Sequence, residues 1–115
     1  MESSWKIWTT ATNASKTQRV AGLVVQRVGF PMPSLQVEPS PKGGHVVSFR
    51  VVHDEESWTE LVVSLLRFAQ RVGQGWIVRG ADDEIELWGA LAGNLTHFNV
   101  PGVSAMQVGA TRYKL

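Results

Sequence analysis

At 115 residues, with 43% hydrophobic and 18% charged positions, the chain has the composition of one folded domain over residues 1–115 and is too apolar for disorder. A formal net charge of +1 supplies no strong field for nucleic acid or an anionic membrane, and no apolar run approaches the roughly 18 residues of a membrane span. The absence of cysteine excludes disulfides, thiolate catalysis and cysteine-held zinc or iron–sulfur centres.

The opening residues MESSWKIW lack a basic segment followed by an apolar run. A secretory signal is therefore not expected, and the cytoplasm is the expected compartment. The sequons at Asn13 and Asn94 carry no meaning there, because glycosylation needs secretion.

Residues 5–11, WKIWTTA, alternate as a strand does. Ser15 with Gln18 three residues on reads as a capping box for a helix over 16–28, which Gly29, Pro31 and Pro33 end. A short strand is expected at 34–38, and PSPKGG (39–44) has the composition of a hairpin loop. HVVSFRVVH (45–53) is the clearest strand, with Val47, Phe49 and Val51 on one face. Ser57 and Glu60 cap a second helix, in which Trp58, Leu61, Val62, Leu65, Phe68, Ala69 and Val72 recur at helical spacing until Gly73 and Gly75. Strands follow at 75–79 and 84–91, then a loop at 93–102 and a last strand at 103–112.

The order βαββαβ, with one or two further C-terminal strands, predicts an α+β fold of ferredoxin-like type, an antiparallel sheet with two helices on one face. That fold hosts many functions, so it adds little about activity.

Three groups of residues invite a functional reading. The first is HDEE, His53 to Glu56, at the end of the third strand. With the first and third strands as parallel neighbours, Thr12, Asn13 and Ser15 would lie beside His53, Asp54 and Glu55. A fifth strand would bring His97 to the same edge, with the 93–102 loop as a lid. A histidine beside a carboxylate suits general acid–base work, and two histidines with an aspartate suit a divalent metal. The plainer reading is that acidic residues in a first helical turn favour its dipole, and His53 and His97 have no metal-ligand spacing. No metal or other cofactor is therefore expected. The two helix N-termini at this edge lack a glycine-rich phosphate loop.

The second group is Lys16, Arg19 and Arg27 on the first helix. Three cations in a nearly neutral chain without a recognition motif argue for a solvated face rather than a nucleic-acid site.

The third group is aromatic. In WIVRGADDEIELW (76–88), a four-residue loop at GADD pairs Arg79 with Glu84, Val78 with Ile85 and Trp76 with Leu87. Trp76 then faces the core and Trp88 the open side. The outer face of the sheet is expected to carry Trp8, Arg50, Ile77, Arg79, Glu86 and Trp88, with Lys6, Val46 and Val52. Exposed aromatics and arginines are what protein interfaces favour. The function expected from this pattern is non-catalytic association, with itself as a dimer or with a protein partner it inhibits or regulates. The acidic run Asp82–Asp83–Glu84 would steer a basic partner. The competing expectation is a small enzyme built on His53, Asp54 and His97.

Overall fold

Every strand in the sheet runs antiparallel to its neighbours, and this decides which parts of the chain meet. The computed structural model describes residues 1–112. The last three positions of the expected 1–115 domain lie outside the described residues. The elements are β1 (Glu2–Thr9), α1 (Ala14–Val28), β2 (Gln36–Pro39), β3 (His45–Val52), α2 (Trp58–Val72), β4 (Gly73–Gln74), β5 (Ile77–Ala81), β6 (Glu84–Ala90), a 3-10 turn (Ala92–Asn94), β7 (His97–Phe98) and β8 (Val103–Thr111). Six of the strands form one sheet in the order β2-β3-β1-β8-β6-β5, and β4 pairs with β7 separately.

The fold is α+β, with two helices and an antiparallel sheet, but its strand order departs from the expected arrangement. In a ferredoxin-like sheet the strand after α2 would lie beside β1. Here β8 takes that place, and the β5–β6 hairpin is added beyond it. Burial explains the exchange. β8 buries Val103, Met106, Val108 and Ala110, whereas β5 buries none of its five residues. A central strand must be covered on its core face, so the more apolar strand takes the centre and β5 the edge.

The core lies between the helices and one sheet face. Ala21, Val24, Val25 and Val28 of α1 and Leu61, Leu65, Ala69 and Val72 of α2 pack on Trp5, Ile7, Val47, Met106, Val108 and Leu87. Trp5, 1% exposed, stacks on Phe49 at 5.8 Å and meets Phe30 edge-on at 5.5 Å.

α1 starts two residues before the expected position. Asn13, not Ser15, is the N-cap: its backbone is extended, and its side-chain oxygen accepts from Lys16 N at 2.9 Å. Either residue type can cap, and Asn13 is the one placed where the chain leaves β1. Asn13→Ala is expected to lower stability by about 1 kcal/mol, read from a denaturant midpoint. Ser15→Ala, inside the helix, should be close to neutral.

α2 starts at its expected cap. Ser57 Oγ accepts from Glu60 N at 3.1 Å, while the Glu60 carboxylate accepts from Glu56 N at 3.2 Å, one residue before the cap.

The β5–β6 hairpin closes on Asp82 and Asp83 alone, so Arg79 pairs with Glu86 and Val78 with Leu87. The expected register is corrected by two residues. Both registers put the same residues on each face, because side chains alternate with a period of two. Trp76 accordingly lies on the core side, against Phe98 at 5.8 Å, and Trp88 on the other.

Candidate functional site

Antiparallel pairing separates the groups expected to converge. Glu2 pairs with Val52 and Thr9 with His45, so His53 lies where β1 begins, and Thr12, Asn13 and Ser15 lie beyond its far end. His97 pairs with Gln74, past the C-terminus of α2, whereas His53 precedes its N-terminus. The 15 residues of α2 between them rise about 22 Å. The set His53, Asp54 and His97 is therefore not assembled. Among the described residues, no group of three or more histidines, aspartates and glutamates gathers to hold a metal ion.

Nor does the 93–102 loop hang free as a lid. Thr96, 1% exposed, donates its hydroxyl to Gly75 O at 2.7 Å and accepts from Ala90 N at 3.0 Å. Asn99 reaches Val72 O with its backbone N–H and Arg71 O with its side chain. These bonds staple the loop to the end of α2.

His53 instead meets a residue that periodicity did not single out. Its Nε2 lies 2.6 Å from Ser3 Oγ, which also accepts from Trp5 Nε1 at 2.9 Å, and its Nδ1 lies 3.6 Å from Glu55 Oε2. The indole fills one lone pair of Ser3, leaving the hydroxyl hydrogen to donate to a neutral imidazole. Hydroxyl, imidazole and carboxylate line up in the order of a nucleophile-activating relay. The hydroxyl cannot be used that way, because Ser3 is 1% exposed. His53 packs against Phe30 and Phe68 as well, and the group is a buried polar tie between β1 and β3.

Burial lowers the His53 pKa below its ordinary value; Glu55 and Asp54 pull it up, and the N-terminal amine pushes it further down. The neutral ring is thus favoured in the fold, and the unfolded chain binds the extra proton first. This contribution is complete above about pH 6.5 and is lost as pH falls from there toward the folded pKa. The denaturant midpoint is expected to fall between pH 7.5 and 5.5, and His53→Asn should flatten that slope. Equal slopes would remove His53 from the account.

The face away from the helices is the other candidate. Register sets its rows across the sheet. Val46, Trp8, Ala105 and Ala90 form one row; Gln36, Ser48, Lys6, Gln107, Trp88 and Ile77 form the next. Arg50, Ser4, Gly109, Glu86 and Arg79 form a third. Trp8, Arg50, Ile77, Arg79, Glu86 and Trp88 therefore share this face.

Its two ends differ. At one end Trp8 and Trp88 meet edge-to-face at 5.4 Å over the small Ala105, both half-buried, and Lys6 Nζ sits 5.0 Å from the Trp8 ring centre. Toward the other end the sheet curves into a trough of about 1380 Å³, reaching from Ser34 and Gln36 to Arg79 and Gly80. Ser4, Ser48 and Gly109 keep its floor low, and Arg50, Arg79, Arg112, Glu2, Glu84 and Glu86 line it as well. Arg50 is 3.6 Å from Glu2, an exposed pair worth little to stability. Val52, 77% exposed, stands on this face beside Glu2.

Of the floor residues, alternation along β3 places Ser48 on this face with Arg50, whereas Ser4, Gln107 and Gly109 are not singled out by the sequence. Their outward phase was legible, but Gln107 and Gly109 reach the middle of the face only because β8 is central.

No helix among the described residues is long and apolar enough to cross a membrane. No protein-family model, curated protein or solved structure matches the chain.

Proposed function

We propose that this protein is a non-catalytic association protein whose binding surface is the outer face of its sheet. The observation that carries this reading is the trough itself: about 1380 Å³ of open concave space with charged side chains of both signs along it, beside an aromatic pair, on the sheet face that neither helix packs on. Small-molecule sites are usually about 300–1,000 Å³ and enclosed. This one is larger and open, with side chains of both charges along it, which suits a protein surface better than a metabolite. Trp8, Trp88, Arg50 and Arg79 are the residue types that carry binding energy in protein interfaces.

A photo-reactive side chain in place of Gln107, on the trough floor, is expected to cross-link to protein in cells producing the chain. The same group in place of Gln26, exposed on α1, should not. Cross-links from Gln26 with none from Gln107 would overturn the reading.

A further inference from the structure

We infer that the occupant of the outer face is a second copy of this chain, related by a twofold axis that runs parallel to the strands between β1 and β8. The inference rests on the association reading and names its partner.

A twofold interface sets one patch against itself, so the patch must be self-complementary. The trough carries Lys6, Arg50, Arg79 and Arg112 with Glu2, Glu84 and Glu86, close to balance, so two copies need not repel. The position of the axis follows from the rows. An axis along the strands keeps each row on the same row of the partner and exchanges β1 with β8, β3 with β6 and β2 with β5. The Trp8–Trp88 pair of each copy, which covers its own Ala105, then lies beside the partner's pair across the axis. Arg50 faces the partner's Glu86, and the symmetry makes that pair twice. An axis across the strands would instead lay Trp8 on Glu2 and Arg79 on Ile77, burying charge against apolar groups without a partner, which is costly.

The axis sets the trough of one copy over that of the other, with Arg50 on β3 and Glu86 on β6 standing on either side of the Ser4–Gly109 floor. This arrangement sets the β2 edge of each copy over the antiparallel β5 edge of the other, which covers edges that are otherwise an aggregation hazard. Six strands at about 4.8 Å spacing, each contributing roughly 20 Å, bury about 1,000 Å² over two copies, the lower bound for a specific interface. The dimer is therefore weak and dilutes apart.

Sedimentation of the full chain across micromolar concentrations tests this. The mass is expected to rise from 12.7 kDa toward twice that value. Arg50→Glu and Glu86→Arg should each weaken the dimer by about tenfold or more, since close interfacial charge pairs couple by about 1.5 kcal/mol or more. The decisive samples are the combinations. An equimolar mixture of the two single variants should dimerise, because both cross-pairs are again opposite in sign, and the double variant Arg50→Glu/Glu86→Arg should recover self-association. Recovery cannot come from a merely unfolded single variant. A dimer indifferent to both reversals, or a mixture that stays monomeric while the unsubstituted chain dimerises, overturns the inference. A monomer at every concentration also overturns it: a Gln107 cross-link to a different protein then leaves association on this face standing, and no cross-link at all removes both.

Discussion

Replacing Trp5 by alanine is expected to remove about 3–5 kcal/mol of stability, the range for a buried aromatic whose cavity cannot collapse. Three contacts are lost together. The indole stacks on Phe49, meets Phe30 edge-on, and donates its N–H to Ser3 Oγ. The first two lie in the core between β1, β3 and α1, where Trp5 is 1% exposed. The third holds the hydroxyl that His53 uses, so the His53 tie loosens with it. Small domains have only about 5–15 kcal/mol in hand, so the variant should sit near the edge of folding. Trp5→Phe separates the terms: it keeps most of the apolar area but leaves Ser3 without its donor, and should cost less. Urea unfolding of both variants is the measurement. A loss under about 1 kcal/mol for the alanine variant would mean that Trp5 is not packed as described.

Gly75→Ala is the second large effect, and its cause is backbone rather than packing. Gly75 has φ +88°, where an L side chain costs about 1–2 kcal/mol. A Cβ there would also stand 2.2 Å from Leu95 O, a backbone atom that can yield only by moving the loop. Moving it pulls Thr96 away from Gly75 O, leaving buried polar groups without partners at about 1–3 kcal/mol. The sum is about 3 kcal/mol, or a fall of roughly 15 °C in Tm for a domain of this size. Gly43→Ala is the matched control: its φ is +96°, but a Cβ meets nothing within 4 Å. It should lose only the conformational part, about 1–2 kcal/mol. Equal losses at the two positions would show that the Leu95 contact does not constrain the turn.

Local features of the fold were legible because they depend on short-range chemistry. The Ser57 cap, the stripe of α2 and the alternation of β3 each follow from residues within a few positions of one another. The faces of Trp76 and Trp88 were legible for the same reason, since alternation survives a register shift of two. The turn length was not, because that same parity makes the two-residue and four-residue loops equivalent in pattern. Strand order was not legible either. It depends on how much of each strand can be buried, and β8 and the β5–β6 hairpin differ in that only once they compete for the place beside β1. The Ser3–His53 contact was hidden by the assumption of parallel neighbours; antiparallel pairing puts Ser3 opposite Val51, one turn of the pleat from His53. The outer-face set of Trp8, Arg50, Ile77, Arg79, Glu86 and Trp88 needed only phase along each strand, and phase is a property of the sequence itself.

The most direct test of the central claim uses the lack of cysteine in this chain, which makes any introduced thiol unique. A thiol at the trough floor (Gln107→Cys) is compared with one on the exposed side of α1 (Gln26→Cys) for reaction with a small, neutral, membrane-permeant maleimide. The comparison is made in intact producing cells and in dilute purified protein. If the outer face is a binding surface, the Gln107 position reacts in the dilute protein and is protected in the cell, while the Gln26 position reacts equally in both. Equal reaction at Gln107 in the two settings would contradict the claim.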